Sequence, residues 1–204
     1  MEADTLDAVE RWAGCTVAEA TELDGGEVGT VSCADLADGR RVVVKTAETD
    51  LTTEAAMLEH LAAEGGLTVP EVFHVTPELL LLEFVEGSGD LTPAVERDLA
   101  ERLAALHETT ADAFGFPVDT LTGRFRQPNP WLDDWADFFG EHRLGHAAAC
   151  AAAEGVLPDP TSERVAAVVA DLPGLLDHEP EPTLIHGDVW RENLRLEDDG
   201  VRAF

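Results

Sequence analysis

Lysine is almost missing from this sequence: Lys45 stands alone beside twelve arginines. Cysteine is scarce too. Cys15, Cys33 and Cys150 form no CxxC pair and have no metal-ligand spacing. Their odd number argues against a disulfide framework, and so does an N-terminus, MEADTLDAVE, without the basic region or apolar core of a secretion signal. Reduced thiols are the expectation. No apolar run approaches the roughly 20 residues of a membrane span, so the chain reads as a cytoplasmic protein. Positive charge is short overall: 13 Lys and Arg face 42 Asp and Glu, giving a net charge of −29. The acids run along the whole chain rather than gathering in a tail. Such a surface repels nucleic acid and anionic membrane, so neither is an expected partner. Even acidity suits a halophilic setting, because the Debye length shrinks to about 3 Å at 1 M salt and the carboxylates stop repelling one another.

What remains is a globular composition, 45% hydrophobic, in a chain long enough for one or two compact units. The surviving lysine is notable against the arginine bias. A compact ammonium approaches a phosphate as a point charge, which a planar guanidinium does less well. Residues 4–13 have helical spacing. Short β-like runs follow at 16–21, 28–33 and 41–46, separated by Asp24-Gly25-Gly26 and Ala37-Asp38-Gly39. A helix is predicted over 51–64, with Thr52 or Thr53 as cap, then strands at 72–75 and 79–84. The composition shifts at residues 86–89, Glu-Gly-Ser-Gly, which reads as a hinge. Beyond it helices are expected over 92–108, 131–152 and about 162–177, the last bounded by Pro160 and Pro173. A β-like run at 183–186 and a small hairpin, 194–197 with 201–204, close the chain. The expected class is therefore α+β: a small β-rich lobe, 1–85, and a helical lobe, 86–204. That is the order of kinase lobes.

Phosphoryl transfer asks a protein for a cation on the phosphates, a partner fixing that cation, a metal ligand and a base beside the attacking hydroxyl. Val42-Val43-Val44-Lys45 ends the third strand, where kinases place such a lysine. Glu54 lies on the following helix and is the candidate partner, with Glu59 as fallback. The motif His186-Gly187-Asp188-Val189-Trp190-Arg191-Glu192-Asn193 carries an Asp and an Asn at the kinase catalytic-loop separation. A tight loop with four intervening residues can set Asp188 toward a hydroxyl and Asn193 toward a metal. Gly25, Gly26 and Gly29 could let backbone N–H groups approach phosphate; a plain hairpin turn explains them equally well. Glu83-Phe84-Val85 ends the apolar strand before the hinge, where kinase backbone meets adenine. His107, on an apolar helix, reads as a packed structural residue.

With these residues in hand, the chain resembles the fructosamine (ketosamine) kinases, relatives of the aminoglycoside and choline kinases with a protein-kinase-like two-lobed fold. The loop HGDVWRENL is similar to HGDxxxxN, and its Trp190 to the HGDLW form of the ketosamine branch. Phe114-Gly115-Phe116, Gln127-Pro128-Asn129-Pro130-Trp131, Asp133-Asp134-Trp135, Phe138-Phe139 and Glu141-His142-Arg143-Leu144 resemble that branch's FGF, QPN, DW, FF and EHRL block. The resemblance implies ATP and magnesium as cofactors and a ketoamine, free or protein-bound, as substrate. The phosphorylated adduct would then fall apart and free the amine. It assigns Lys45 to the phosphates, Glu54 to Lys45, Asp188 to the base, Asn193 to magnesium and Trp190 to the substrate side. In the family a further acid, in a motif like IDPA, follows the hairpin; this sequence stops at Phe204, so a truncated C-terminal lobe is expected. The rival readings are an aminoglycoside- or choline-type kinase and a non-catalytic nucleotide-binding protein.

Overall fold

The computed structural model describes residues 1–23, 29–87 and 89–204. The chain forms two compact units, Met1–Thr109 with Ile185–Phe204, and Thr110–Leu184.

The first unit is built on a five-stranded antiparallel sheet, order β1-β2-β3-β5-β4: β1 Val17–Glu22, β2 Thr30–Leu36, β3 Arg41–Thr46, β4 Val72–Thr76 and β5 Leu79–Glu83. Helix α1, Ala3–Ala13, covers one face and α2, Leu51–Glu64, the other. This explains the unbroken apolar run of β5. Alternate residues of a strand point to opposite faces. Leu79 and Leu81 pack with Val9, Val42 and Val44, while Leu80 and Leu82 pack with Leu51 and Ala55. Helix α2 is capped by Asp50, whose carboxylate accepts from the Thr52 backbone N–H, rather than by the expected threonine. Strand β1 is different. It forms one edge of the sheet, is exposed along almost its whole length, and carries Glu19 and Glu22. Its register shifts between Val17 and Glu19. Helix α3, Pro93–Leu106, begins at Thr92, which accepts from the Val95 N–H.

In the second unit a hairpin absent from the expectations pairs β6, Thr120–Thr122, with β7, Phe125–Gln127. Three-residue strands are too short to show a period. The helix expected over 131–152 begins at Trp135, capped by Asp134. It runs as α4, Trp135–Phe139, a π-helical turn, Gly140–Gly145, and α5, His146–Ala153. Glycine permits close approach there: a Cβ on Gly140 would lie 3.0 Å from Leu172, which belongs to α6, Asp159–Leu175. Pro160 sits in the first turn of α6, where its missing N–H leaves no bond unmade, and Pro173 lies inside the last turn instead of ending the helix. Asn129 is 4% exposed. It donates to Val118 O and Thr120 Oγ1 and accepts from Arg143 Nη2 at 2.6 Å, so the QPN segment is a polar hub and not part of a helix.

The chain returns to the first unit at Ile185. Of the β-like run expected at 183–186, only a single bridge from Thr183 to Thr110 forms. The closing hairpin is β8, Arg195–Leu196, with β9, Val201–Ala203. These compact units do not coincide with the expected lobes, 1–85 and 86–204. Backbone contacts explain why. The Gly89 N–H donates to Leu196 O at 3.0 Å and the Phe204 N–H to Thr68 O at 3.0 Å, so β8 and the residue after β9 are bonded to residues near and before the expected boundary. Among the described residues no helix is long and apolar enough to cross a membrane.

Asp98 of α3 holds the same hairpin. Its Oδ2 accepts from the Val201 N–H at 2.7 Å and from Arg102 Nε at 2.8 Å. The backbone bond to Val201, and next the Arg102 bond, hold its carboxyl below the ordinary carboxylate range against the opposing effect of burial. A depressed folded value means the stabilisation is present above the unfolded pKa and is lost as pH falls through the folded one. Asp98→Asn is thus expected to lower the urea midpoint at pH 6, with the gap to wild type closing as pH drops below about 4. A gap independent of pH would contradict this assignment.

Candidate active site

Lys45 is the fifth residue of β3. Val42 and Val44 point to the α1 side, so Lys45 falls on the opposite face, beneath α2. Leu51 and Ala55 anchor the first turn of α2 to the sheet, and Glu54 sits between them. Lys45 Nζ meets Glu54 Oε2 at 2.6 Å, with the two side chains 22% and 32% exposed. A half-exposed pair of this kind adds on the order of 1 kcal/mol or less to stability. Its use is orientation: it holds an ammonium on a rigid strand. Glu59, the fallback, is exposed on another side of the helix.

The 186–193 loop is organised by three local devices. Gly187 has φ 84°, a left-handed turn that favours glycine and reverses the chain between His186 and Asp188. The Asp188 N–H donates to His186 Nδ1 at 3.3 Å. Burial lowers the pKa of His186, more than the charge of Asp188 raises it, which keeps Nδ1 free to accept. Finally, a 3-10 turn, Arg191–Asn193, swings the chain back. Asn193 Nδ2 then donates to Asp188 Oδ2 at 2.8 Å and to Asp188 O at 3.0 Å. Asn193 spends its amide nitrogen on Asp188, which leaves its carbonyl oxygen as the group able to ligate a hard cation. Asp188 is exposed, and Trp190 between the pair is 45% exposed.

Of the other expected residues, Phe84 carries the Arg41 guanidinium 3.8 Å from its ring centroid. Both line an open cavity of about 600 Å³ with Glu86, Gly87, Leu196 and Asp199 among its walls. Glu83 and Val85 do not line it; the Glu83 N–H donates to Glu71 O at 2.9 Å. Gly25 and Gly26 lie outside the described residues. Gly29 has φ 93°, and a Cβ there would strike Thr46 O, so the turn residue packs against the end of β3. The residues brought together are Lys45 with Glu54 and Asp188 with Asn193, all in the first compact unit. Reading the sequence left His186 without a role, although its place two residues before Asp188 was the available signal.

A fructosamine kinase family model matches residues 3–204. A probable ketoamine kinase from Synechocystis is 41% identical over 148 residues, covering 69% of this chain and 48% of that protein. The probable ketoamine kinase of Escherichia coli K12 is 32% identical over 193 residues, covering 90% and 65%. The chain thus spans about half to two thirds of the length of these relatives. A crystal structure from Thermobifida fusca, assigned as a fructosamine-3-kinase, superposes with TM-score 0.80 at 28% identity, covering 98% of this chain and 71% of that one. The gentamicin complex of an aminoglycoside phosphotransferase superposes with TM-score 0.64 at 15% identity, covering 98% and 68%, a likeness of fold alone. The fold is the kinase-like α+β fold these proteins share.

Proposed function

Because this chain belongs to the fructosamine kinase family, we propose that the full protein transfers the γ-phosphoryl group of ATP to a sugar hydroxyl of a ketoamine. The Asp188–Asn193 contact carries this reading, since it joins a carboxylate and a free amide oxygen in one exposed loop. Asp188 accepts the proton of the attacking hydroxyl. Lys45, steadied by Glu54, neutralises phosphate charge. Asn193 would hold magnesium through its carbonyl oxygen, and the ion would supply positive charge against that of the phosphates. Gly25 and Gly26 would serve the phosphates, Glu83, Phe84 and Val85 would present the adenine-facing backbone at the end of the nucleotide-binding lobe, 1–85, and Trp190 would line the substrate side. The helical lobe, 86–204, would supply the catalytic loop. Breakdown of the phosphorylated ketoamine would free the amine, a repair of glycation in the cytoplasm.

Transfer of labelled phosphate to a ketoamine, to an aminoglycoside and to choline, beside nucleotide titrations with and without magnesium, tests the proposal. Transfer to the ketoamine alone is expected. Transfer only to the others would reassign the substrate, and binding without any transfer would make the protein a nucleotide-binding module.

The charge of −29 extends the proposal to the surroundings. If the protein works in concentrated salt, its melting temperature rises between 0.1 M and 2 M KCl as repulsion among carboxylates is screened. A flat or falling melting curve over that range would remove the halophilic reading and leave the enzymatic one standing.

A further inference from the structure

We propose that Arg191 is a positioning residue that ties the 186–193 loop to the backbone at Gly89 and thereby sets where Asp188 and Asn193 stand. The proposal rests on the phosphoryl-transfer reading of that loop. Arg191 Nη2 donates to Gly89 O at 3.1 Å, across 102 positions of sequence. On its other side the Gly89 N–H donates to Leu196 O at 3.0 Å. One residue is therefore gripped from both ends of the loop-and-hairpin segment. The grip leaves no room for a side chain. A Cβ on Gly89 would lie 2.5 Å from Glu197 O, and one on Gly87 2.8 Å from the Leu196 nitrogen. At both positions space demands a glycine.

The anchor acts at a sensitive point. Arg191 opens the 3-10 turn that Asn193 closes. That turn is pinned by the Asn193 N–H on Trp190 O at 3.1 Å and the Leu194 N–H on Arg191 O at 3.2 Å. Arg195 Nη1 secures the far side on Glu192 O and Leu194 O. Displacement of Arg191 passes through this stiff turn to Asn193, and from Asn193 Nδ2 to the Asp188 carboxylate. In a chain with 42 acids, none of the described carboxylates forms an ion pair with Arg191. Its guanidinium is used on a carbonyl in the expected hinge, 86–89, four positions after Val85, so the hinge and the catalytic loop are tied directly together.

A misplacement of about 1 Å in reacting groups lowers rates by up to about 100-fold. In the full protein, Arg191→Ala is expected to reduce kcat about tenfold or more, with KM for ATP and ketoamine held within about twofold and the melting temperature unchanged. Arg191→Lys, which can still reach a carbonyl, recovers most of the loss. An unchanged kcat, a raised KM for ATP with kcat intact, or a kcat loss that tracks a lower melting temperature each overturns the proposal. Asp188→Asn is measured alongside. If it is inactive while Arg191→Ala is normal, only the positioning role falls; if it retains turnover, the reading of the loop falls as well.

Discussion

Asp188→Ala in the full protein is expected to lower turnover by about 100- to 10,000-fold, the range a general base contributes, while nucleotide still binds. Asp188→Asn sharpens the test. An asparagine keeps an oxygen to accept from Asn193 Nδ2, now 2.8 Å away, so loop geometry survives while the proton acceptor is gone. Both variants should therefore fall together. Single-turnover phosphate transfer measures the chemical step, and a nucleotide titration shows that the site is intact. A near-normal rate in Asp188→Asn would mean that the carboxylate orients the loop and takes no proton.

Lys45→Ala carries the second large effect. Removing one preorganised charge from a transferring phosphoryl group costs about 100- to 1,000-fold in kcat. Lys45→Arg should recover little of it. Arginine has the charge, but its planar fork is matched to a bidentate carboxylate and would turn to Glu54, which meets Lys45 Nζ through one oxygen at 2.6 Å. In the double variant Lys45→Ala with Glu54→Gln, the loss should be no greater than in Lys45→Ala, because Glu54 acts only through the lysine. Rates are read as kcat and KM for ATP. Full activity in Lys45→Arg would show that the scarcity of lysine elsewhere says nothing about Lys45.

These two residues were legible in the sequence because each depends on short-range order. Lys45 is the fifth residue of a strand whose bounds, 41–46, could be read from four apolar or charged neighbours, and Glu54 lies nine positions on, near the start of a helix found at its predicted limits. Asp188 and Asn193 are five apart. What escaped was set by contacts distant in sequence or by elements too short to have a period. Arg191 with Gly89, and Asp98 with Val201, are more than a hundred positions apart. The three-residue strands β6 and β7 give no alternation to read. The π-helical turn begins at Gly140 and ends at Gly145, where a Cβ would crowd Leu172 in one case and Gly140 O in the other. Spacing alone made these look like ordinary helix positions. The QPN segment lay outside every predicted element, because its determinant is a buried amide, Asn129, bonded to Arg143, Thr120 and Val118.

The bare rim of the sheet has a practical consequence. Along Val17–Glu22 a ladder of backbone donors and acceptors faces outward, an invitation to a second copy that the like-charged Glu19 and Glu22 discourage. In brine that electrostatic deterrent fades. Protection against intermolecular zippering then falls to the shortness of the strand and its irregular start, so the conditions that ease self-repulsion within one molecule also make its neighbours better company.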